Sequence, residues 1–304
     1  MQKNNKISPQ KKATVVSTSV AFLLTSIKLV VGIASGSVAV LASAVDSILD
    51  MFVSLFNYFA ITNSEKPADE QFNYGRGKIE ALASVIEGTI ITVSGLFLLY
   101  QAAKKAYLGE TSSYMETSLI VMVISLFITI ALVAYLNAIA KKTNNMVIKA
   151  DALHYKTDVY VNGAVLISLL LVSFTKIELI DVIVGGGIAI FIIYSAYELI
   201  EDGIFMLLDH SIEDEQLVQI KDIITNENKV NDYHLLKTRQ AGNNIFVDVH
   251  LVFDCIISLM DAHRVSDRVE DKISNIDKDI NWIINIHLDP YDDLLLHTEN
   301  SCKA

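Results

Sequence analysis

The chain reads as a membrane all-α domain of six transmembrane helices followed by a small cytosolic α+β domain of order αββαβ. Three features predict this: a composition too apolar for water, six long apolar runs in the first two thirds, and an acidic last third with strand-like alternation. Of 304 residues, 52% are hydrophobic and 19% are charged, with a mean hydropathy of +0.42. A soluble domain carries roughly 25% charged residues, so the excess apolar surface needs lipid to face. Residues 1–210 hold 15 Lys and Arg against 17 Asp and Glu, and residues 211–304 hold 9 against 18, dividing the net charge of -11 as -2 and -9. No basic stripe exists to displace phosphate counterions, which argues against nucleic acid as a partner. The two cysteines, Cys255 and Cys302, form no CxxC, so a reducing compartment and a fold without disulfides are expected.

The first domain is placed at 1–210. Its apolar runs lie near Ala13–Ala34, Val38–Thr62, Ile79–Tyr107, Thr117–Ala140, Met146–Phe174 and Leu179–Phe205, each long enough for the about 20 helical residues that cross hydrocarbon. The first run follows Lys3, Lys6, Lys11 and Lys12 as a secretory signal would, but it is too long and five more follow. Short-loop lysines and arginines set the orientation. With the N-terminus inside, the inner side receives ten of them, including Lys66, Arg76, Lys78, Lys141, Lys142 and Lys149, and the outer side only Lys104, Lys105 and Lys176. Both termini are then expected inside, in a multi-pass membrane protein. Lys28, inside the first run, has a stem long enough to snorkel toward the outer interface. Gly185, Gly186 and Gly187 lack any phosphate-binding context and read as a close helix-packing stretch.

The second domain is placed at 211–292, with a loose tail over 293–304. Glu213–Asn226 reads as an amphipathic helix, His234–Gln240 and Asn244–Phe253 as strands joined through Ala241-Gly242-Asn243, Ser258–Ile276 as a second helix and Asn281–Asp289 as a last strand. This metallochaperone-like order has a thin core, and domains of that size commonly gain burial by pairing with a second copy.

Ionisable groups at bilayer depth cost several kcal/mol each and need a reason. The second run carries Asp46 and Asp50, and the fifth carries His154 and Asp158. Each pair is spaced i, i+4, so its members share a helix face. Facing each other, the two helices offer three carboxylates and one imidazole, a set suited to a tetrahedral divalent ion. Three carboxylates in low dielectric cannot all stay ionised without a cation. Metal binding needs them ionised and His154 neutral, so metal and protons compete for the site. Imidazole with oxygen ligands suits Zn²⁺ first and Fe²⁺ second, with Cd²⁺ also admitted, and disfavours Cu(I). Asp151 and Asn162 lie one turn to either side of this pair on the fifth run and read as second-rank ligand supports or pathway groups.

Five of the seven histidines lie within residues 211–304. Alternation in the second strand buries Ile245, Val247, Val249 and Leu251 and leaves Asp248 and His250 on the other face; in the last strand His287 and Asp289 share a face. With His234 and His263, the residues His250, His287 and Asp289 offer a nitrogen and oxygen ligand set of four His and one Asp in which the one carboxylate bridges two ions. Surface histidines are common, and spacing alone leaves metal binding and a solvated role both open. Cys255 reads as an ordinary thiol.

The residues that carry a family likeness are Asp46-Ser47-Ile48-Leu49-Asp50, Lys66-Pro67-Ala68-Asp69, Tyr74-Gly75-Arg76-Gly77-Lys78-Ile79-Glu80, Ala150-Asp151-Ala152-Leu153-His154-Tyr155-Lys156-Thr157-Asp158, Leu236-Lys237-Thr238-Arg239-Gln240-Ala241-Gly242 and Ile286-His287-Leu288-Asp289-Pro290. Together they make the chain resemble the cation diffusion facilitators over nearly its whole length. The resemblance implies a homodimer that exports metal from the cytoplasm against protons by alternating access. It implies a transport site at Asp46, Asp50, His154 and Asp158 and a cytosolic binuclear site at His234, His250, His263, His287 and Asp289. It also implies an apolar gate at Leu153 and a charge interlock of Lys78 with Asp209 that holds the dimer. The family's loop metal site keeps Asp69 here but has Phe72 and Arg76 at its other ligand positions, so it is expected to be lost, with Asp69 pairing Arg76. The competing readings are an intramembrane metal- or aspartate-dependent hydrolase, for which HExxH is missing, and a membrane metal sensor that transports nothing. On the leading reading the chain is no enzyme.

Overall fold

A backbone in hydrocarbon must satisfy its own N–H and C=O groups, so each apolar run becomes one helix. The computed structural model describes residues 8–35, 38–108, 116–175 and 179–290; within them the side chains at 35, 38–42, 45–46, 105, 108, 116–121, 165, 168–175 and 179–181 lie outside the described residues, as does the tail expected at 293–304. The helices are α1 (Pro9–Ser35), α2 (Val38–Ser64), α3 (Lys78–Leu108), α4 (Glu116–Thr143), α5 (Met146–Thr175) and α6 (Leu179–Leu207). Over their described residues α1, α3, α4 and α6 are each long and apolar enough to cross a membrane. The chain divides into two compact units, Met1–Ile204 and Phe205–Ala304.

In the first unit small residues let the helices approach. Ala13, Ala60, Ile61, Ala83, Leu136, Val147, Ile148 and Tyr155 form one buried cluster drawn from the first five helices. The α4–α5 turn depends on two asparagines. Asn144 takes φ +48°, a conformation that asparagine tolerates better than most residues, and the Asn145 Oδ1 accepts the Ile148 N–H at 3.1 Å to cap α5.

The glycine expectation needs correction. A Cβ built on Gly185, Gly186 or Gly187 meets nothing within 4 Å, so these glycines pack against no neighbour among the described residues. The close approach lies elsewhere: a Cβ at Gly88 on α3 would stand 2.7 Å from Ile200 Cγ1, and one at Gly203 on α6 would stand 2.6 Å from Val85 Cγ2. Those two positions bring α3 against α6. The Lys28 ammonium, at the end of its long stem, donates to Ser47 Oγ at 2.7 Å and to the Ser43 carbonyl at 3.4 Å on α2.

The second unit runs α7 (Asp214–Thr225), β1 (Asp232–Ala241), β2 (Asn244–Val252), α8 (Leu259–Ser274) and β3 (Asn281–Asp289). The sheet order is β1-β2-β3, with β1 antiparallel and β3 parallel to β2. Gly242 at φ +61° allows the tight β1–β2 turn. Ile245, Val247, Val249 and Leu251 are buried against Ala262, Val265, Val269 and Ile273 of α8 and Ile220 and Ile224 of α7. Ser258 caps α8, its side chain accepting the Asp261 N–H at 3.1 Å. Glu227, buried after α7, receives Arg268 Nη2 at 2.7 Å and Lys272 Nζ at 2.6 Å from α8. Cys255, expected as an ordinary thiol, is disulfide-bonded, and no free cysteine occurs among the described residues.

Candidate metal centres

On α2 and α5 the helical period aligns Asp50 with Ser54, and His154 with Asp158. The two helices meet so that His154 Nε2 stands 3.2 Å from Asp50 Oδ1. Ligand atoms of Asp50, His154 and Asp158 all lie within 4.8 Å of one another, at partly buried positions. The side chain of Asp46 lies outside the described residues. Two carboxylates and an imidazole at this separation can close on one small dication.

Helix register is held beside the cluster by a buried hydrogen bond between Ser54 and Tyr155, 2.6 Å long. Next to it lies a second polar group that the motif analysis missed in part. The Asn57 Nδ2 donates to Glu87 Oε2 at 3.0 Å and to Asp151 Oδ1 at 3.2 Å, and all three residues are fully buried. Asp151 therefore supports a polar network that joins α2, α3 and α5. Glu87 interrupts an apolar run, so the rule that found Asp46 and Asp50 contained its signal, whereas Asn57 is not ionisable and shows only as a continuation of the α2 stripe of Asp50 and Ser54. Asn162 turns inward on its own helix, donating to the Asp158 carbonyl at 2.8 Å. Leu153 packs with the cluster of Ile91, Ala150, Ile192, Ala196 and Leu199.

In the loop after α2, Arg76 Nη2 meets Asp69 Oδ2 at 2.6 Å and its guanidinium lies 4.1 Å from the centre of the Phe72 ring. Asp69 Oδ1 also accepts the Gln71 and Phe72 N–H groups. The Arg76 hydrogen bond, followed by that from Phe72, holds the Asp69 carboxyl below its ordinary value. Both its oxygens are engaged by donors, which leaves the group occupied within the loop.

The sheet sets the second centre. His234 pairs with His250 across β1 and β2, and His250 pairs with His287 across β2 and β3, so three imidazoles form one rung. Asp289, two residues beyond His287, shares its face. Its Oδ2 accepts from His234 Nε2 and His250 Nδ1, both at 2.9 Å, and its Oδ1 stands 3.0 Å from His287 Nε2. A bulge between His234 and Lys237, with Leu235 at φ +51°, lets the strand resume its pairing one step later. Burial pushes the Asp289 carboxyl up, but hydrogen bonds from His250 and His234 and the nearby His287 hold it below its ordinary value.

His263 is not brought to this group. It stands exposed on α8 with Nε2 3.7 Å from Asp267 Oδ1, because α8 turns Ala262, Val265, Ser266, Val269 and Ile273 toward the sheet. Asp209, at φ +58°, faces Arg239 Nη1 at 3.4 Å.

The two units match two family models. Residues 14–208 match the cation efflux transmembrane domain, and residues 212–291 match the cation efflux protein cytoplasmic domain. The chain belongs to the cation efflux family, whose members are membrane transporters and not enzymes, which sets the hydrolase reading aside. The cation-efflux pump FieF of Serratia proteamaculans is 34% identical over 289 residues, covering 95% of this chain and 92% of that protein. The proteins of the same name from Yersinia pestis strain Pestoides F and Yersinia pseudotuberculosis serotype O:3 are each 35% identical over 260 residues, covering 86% of this chain and 86% of each relative.

Proposed function

We propose that this protein is a proton-coupled antiporter that exports a divalent transition metal, Zn²⁺ first with Fe²⁺ and Cd²⁺ as further substrates, by alternating access. The observation that carries the reading is the meeting of Asp50, His154 and Asp158 across α2 and α5. Asp46 completes the ligand set from one turn away on α2. A dication entering this cluster is held by ionised carboxylates and a neutral imidazole; protons arriving from the far side restore the repulsion-free empty state and release it. All six helices serve as spans of an inner membrane with both termini cytoplasmic, which the lysine and arginine bias supports. Asn57, Glu87 and Asp151 extend the polar path from the cluster, and Leu153 bounds it.

The second unit is read as a metal-responsive dimerisation domain. Its rung of His234, His250 and His287 with Asp289 has the nitrogen and oxygen donors that Zn²⁺ prefers, and a bound ion would neutralise the carboxylate and fix the histidine tautomers. His263 joins that site only if α8 or a second copy presents it, and Lys78 with Asp209 serves as the dimer's charge interlock.

In proteoliposomes with an imposed pH gradient the protein is expected to move Zn²⁺ against its gradient. D50A and H154A should each stop the flux while the protein still reconstitutes. Undiminished flux in both variants would overturn the assignment.

A further inference from the structure

A lipid-facing helix bundle is expected to be apolar on its outside, and it departs from that where α4, α5 and α6 meet near the α4–α5 turn. A cavity of about 430 Å³ lies there, lined by Lys141, Lys149, Lys156, Glu198 and Asp202 among its polar residues. It is separate from the transport cluster. Lys149, Leu153 and Lys156 follow one another at i, i+4 and i+7 and share one face of α5, whereas Asp151, His154 and Asp158 occupy the face about half a turn away, at about 100° per residue.

None of these five charged side chains takes part in an ion pair among the described residues; Glu198 accepts a hydrogen bond from the Tyr194 hydroxyl, a neutral donor that leaves its charge uncompensated. Lys156 rests its ammonium 5.6 Å from the Tyr160 ring, and no carboxylate among the described residues pairs with it. A cavity that keeps three ammoniums and two carboxylates apart from each other in a lipid environment is matched by a ligand that carries both charges. A phosphate takes the lysines; an N–H-bearing ammonium takes Glu198 and Asp202. A choline headgroup has no N–H to donate, and a glycerol headgroup leaves the carboxylates unmatched. Basic pockets between transmembrane helices at the cytoplasmic side are known seats for phospholipid headgroups. The cavity has that position: it sits at the end of α6 from which the chain continues into the cytoplasmic domain.

We propose that this cavity seats the headgroup of an ethanolamine phospholipid of the inner leaflet, with its phosphate on Lys141, Lys149 and Lys156 and its ammonium on Glu198 and Asp202. The inference rests on the membrane placement of α4, α5 and α6 and is independent of which metal is carried. The seated lipid ties the α4–α5 turn to the last turns of α6.

Native mass spectrometry of the full-length protein in detergent tests it, with dioleoyl-phosphatidylethanolamine, -phosphatidylcholine or -phosphatidylglycerol added and inorganic phosphate as competitor. The ethanolamine lipid is expected to be retained at the lowest concentration, and K141Q, K149Q and K156Q should each weaken retention about fivefold. E198Q with D202N, both at exposed positions, should keep phospholipid binding but remove the preference for ethanolamine over choline. Equal retention of the three lipids by the unaltered protein, an undiminished preference in the E198Q, D202N variant, or displacement of lipid by inorganic phosphate would each overturn the proposal. Zinc flux is measured separately, so loss of flux with the lipid preference intact strikes the transport reading alone.

Discussion

Ser54 and Tyr155 share a buried 2.6 Å hydrogen bond that ties α2 to α5 one turn after Asp50 and one residue after His154. The contact makes no claim on metal chemistry, yet it sets the sliding position of one helix against the other and hence the Asp50 to His154 separation. Removing one partner of a buried hydrogen bond costs about 1–3 kcal/mol. Y155F and S54A are therefore expected to lower Zn²⁺ affinity about tenfold while leaving both ligands in place. Titration calorimetry on the purified protein reads this directly, and unaltered affinity in both variants would show that the register is held elsewhere.

The glycines offer a contrast in packing. G203A places a methyl group 2.6 Å from Val85 Cγ2 and 3.1 Å from the Ala81 carbonyl, and such overpacking costs about 1–3 kcal/mol. G186A meets open space and gains the better helix propensity of alanine, up to about 1 kcal/mol. Thermal unfolding in one detergent should lower the midpoint for the first variant and hold or raise it for the second.

For the cytosolic unit, Zn²⁺ is expected to raise the unfolding temperature of a fragment beginning at Ser211, since a ligand bound only by the folded state adds stability as its concentration passes its Kd. H250A with H287A should abolish the shift. H263A should cost less, because that residue stands apart on α8 beside Asp267. A thermal shift that survives H250A with H287A would place the metal away from the histidine rung.

Acid stability of the same unit is set in part by Glu227. Burial raises its carboxyl, but Lys272 and Arg268 outweigh burial and hold it below the ordinary value of 4.5. The ion pair's stabilisation is therefore fully present above pH 4.5 and is lost as pH falls through the folded-state value. E227Q should destabilise the unit by about 1–2 kcal/mol at neutral pH, a figure kept small by the half-exposed partners. The loss should vanish in strong acid. Urea unfolding at neutral and acid pH checks both, and an equal difference at the two would show that charge is not the cause.

Sequence alone determined the elements that local pattern dictates. Apolar length named the long helices, because hydrocarbon leaves a spanning segment only the helix's internal hydrogen bonds. Period-two alternation told the buried face of β2 from the face carrying Asp248 and His250, and the i, i+4 spacing put Asp50 and His154 each on a face with a second ligand. Tertiary structure decided everything that depends on one element's position against another. The register across β1, β2 and β3 aligned three histidines with one aspartate and left His263 out. The crossing of α3 with α6 chose Gly88 and Gly203 over the glycine triplet. Burial brought Asn57 and Glu87 to Asp151. Side-chain period is a property of one helix or strand, whereas register and crossing belong to pairs of elements and are set by packing across the whole unit.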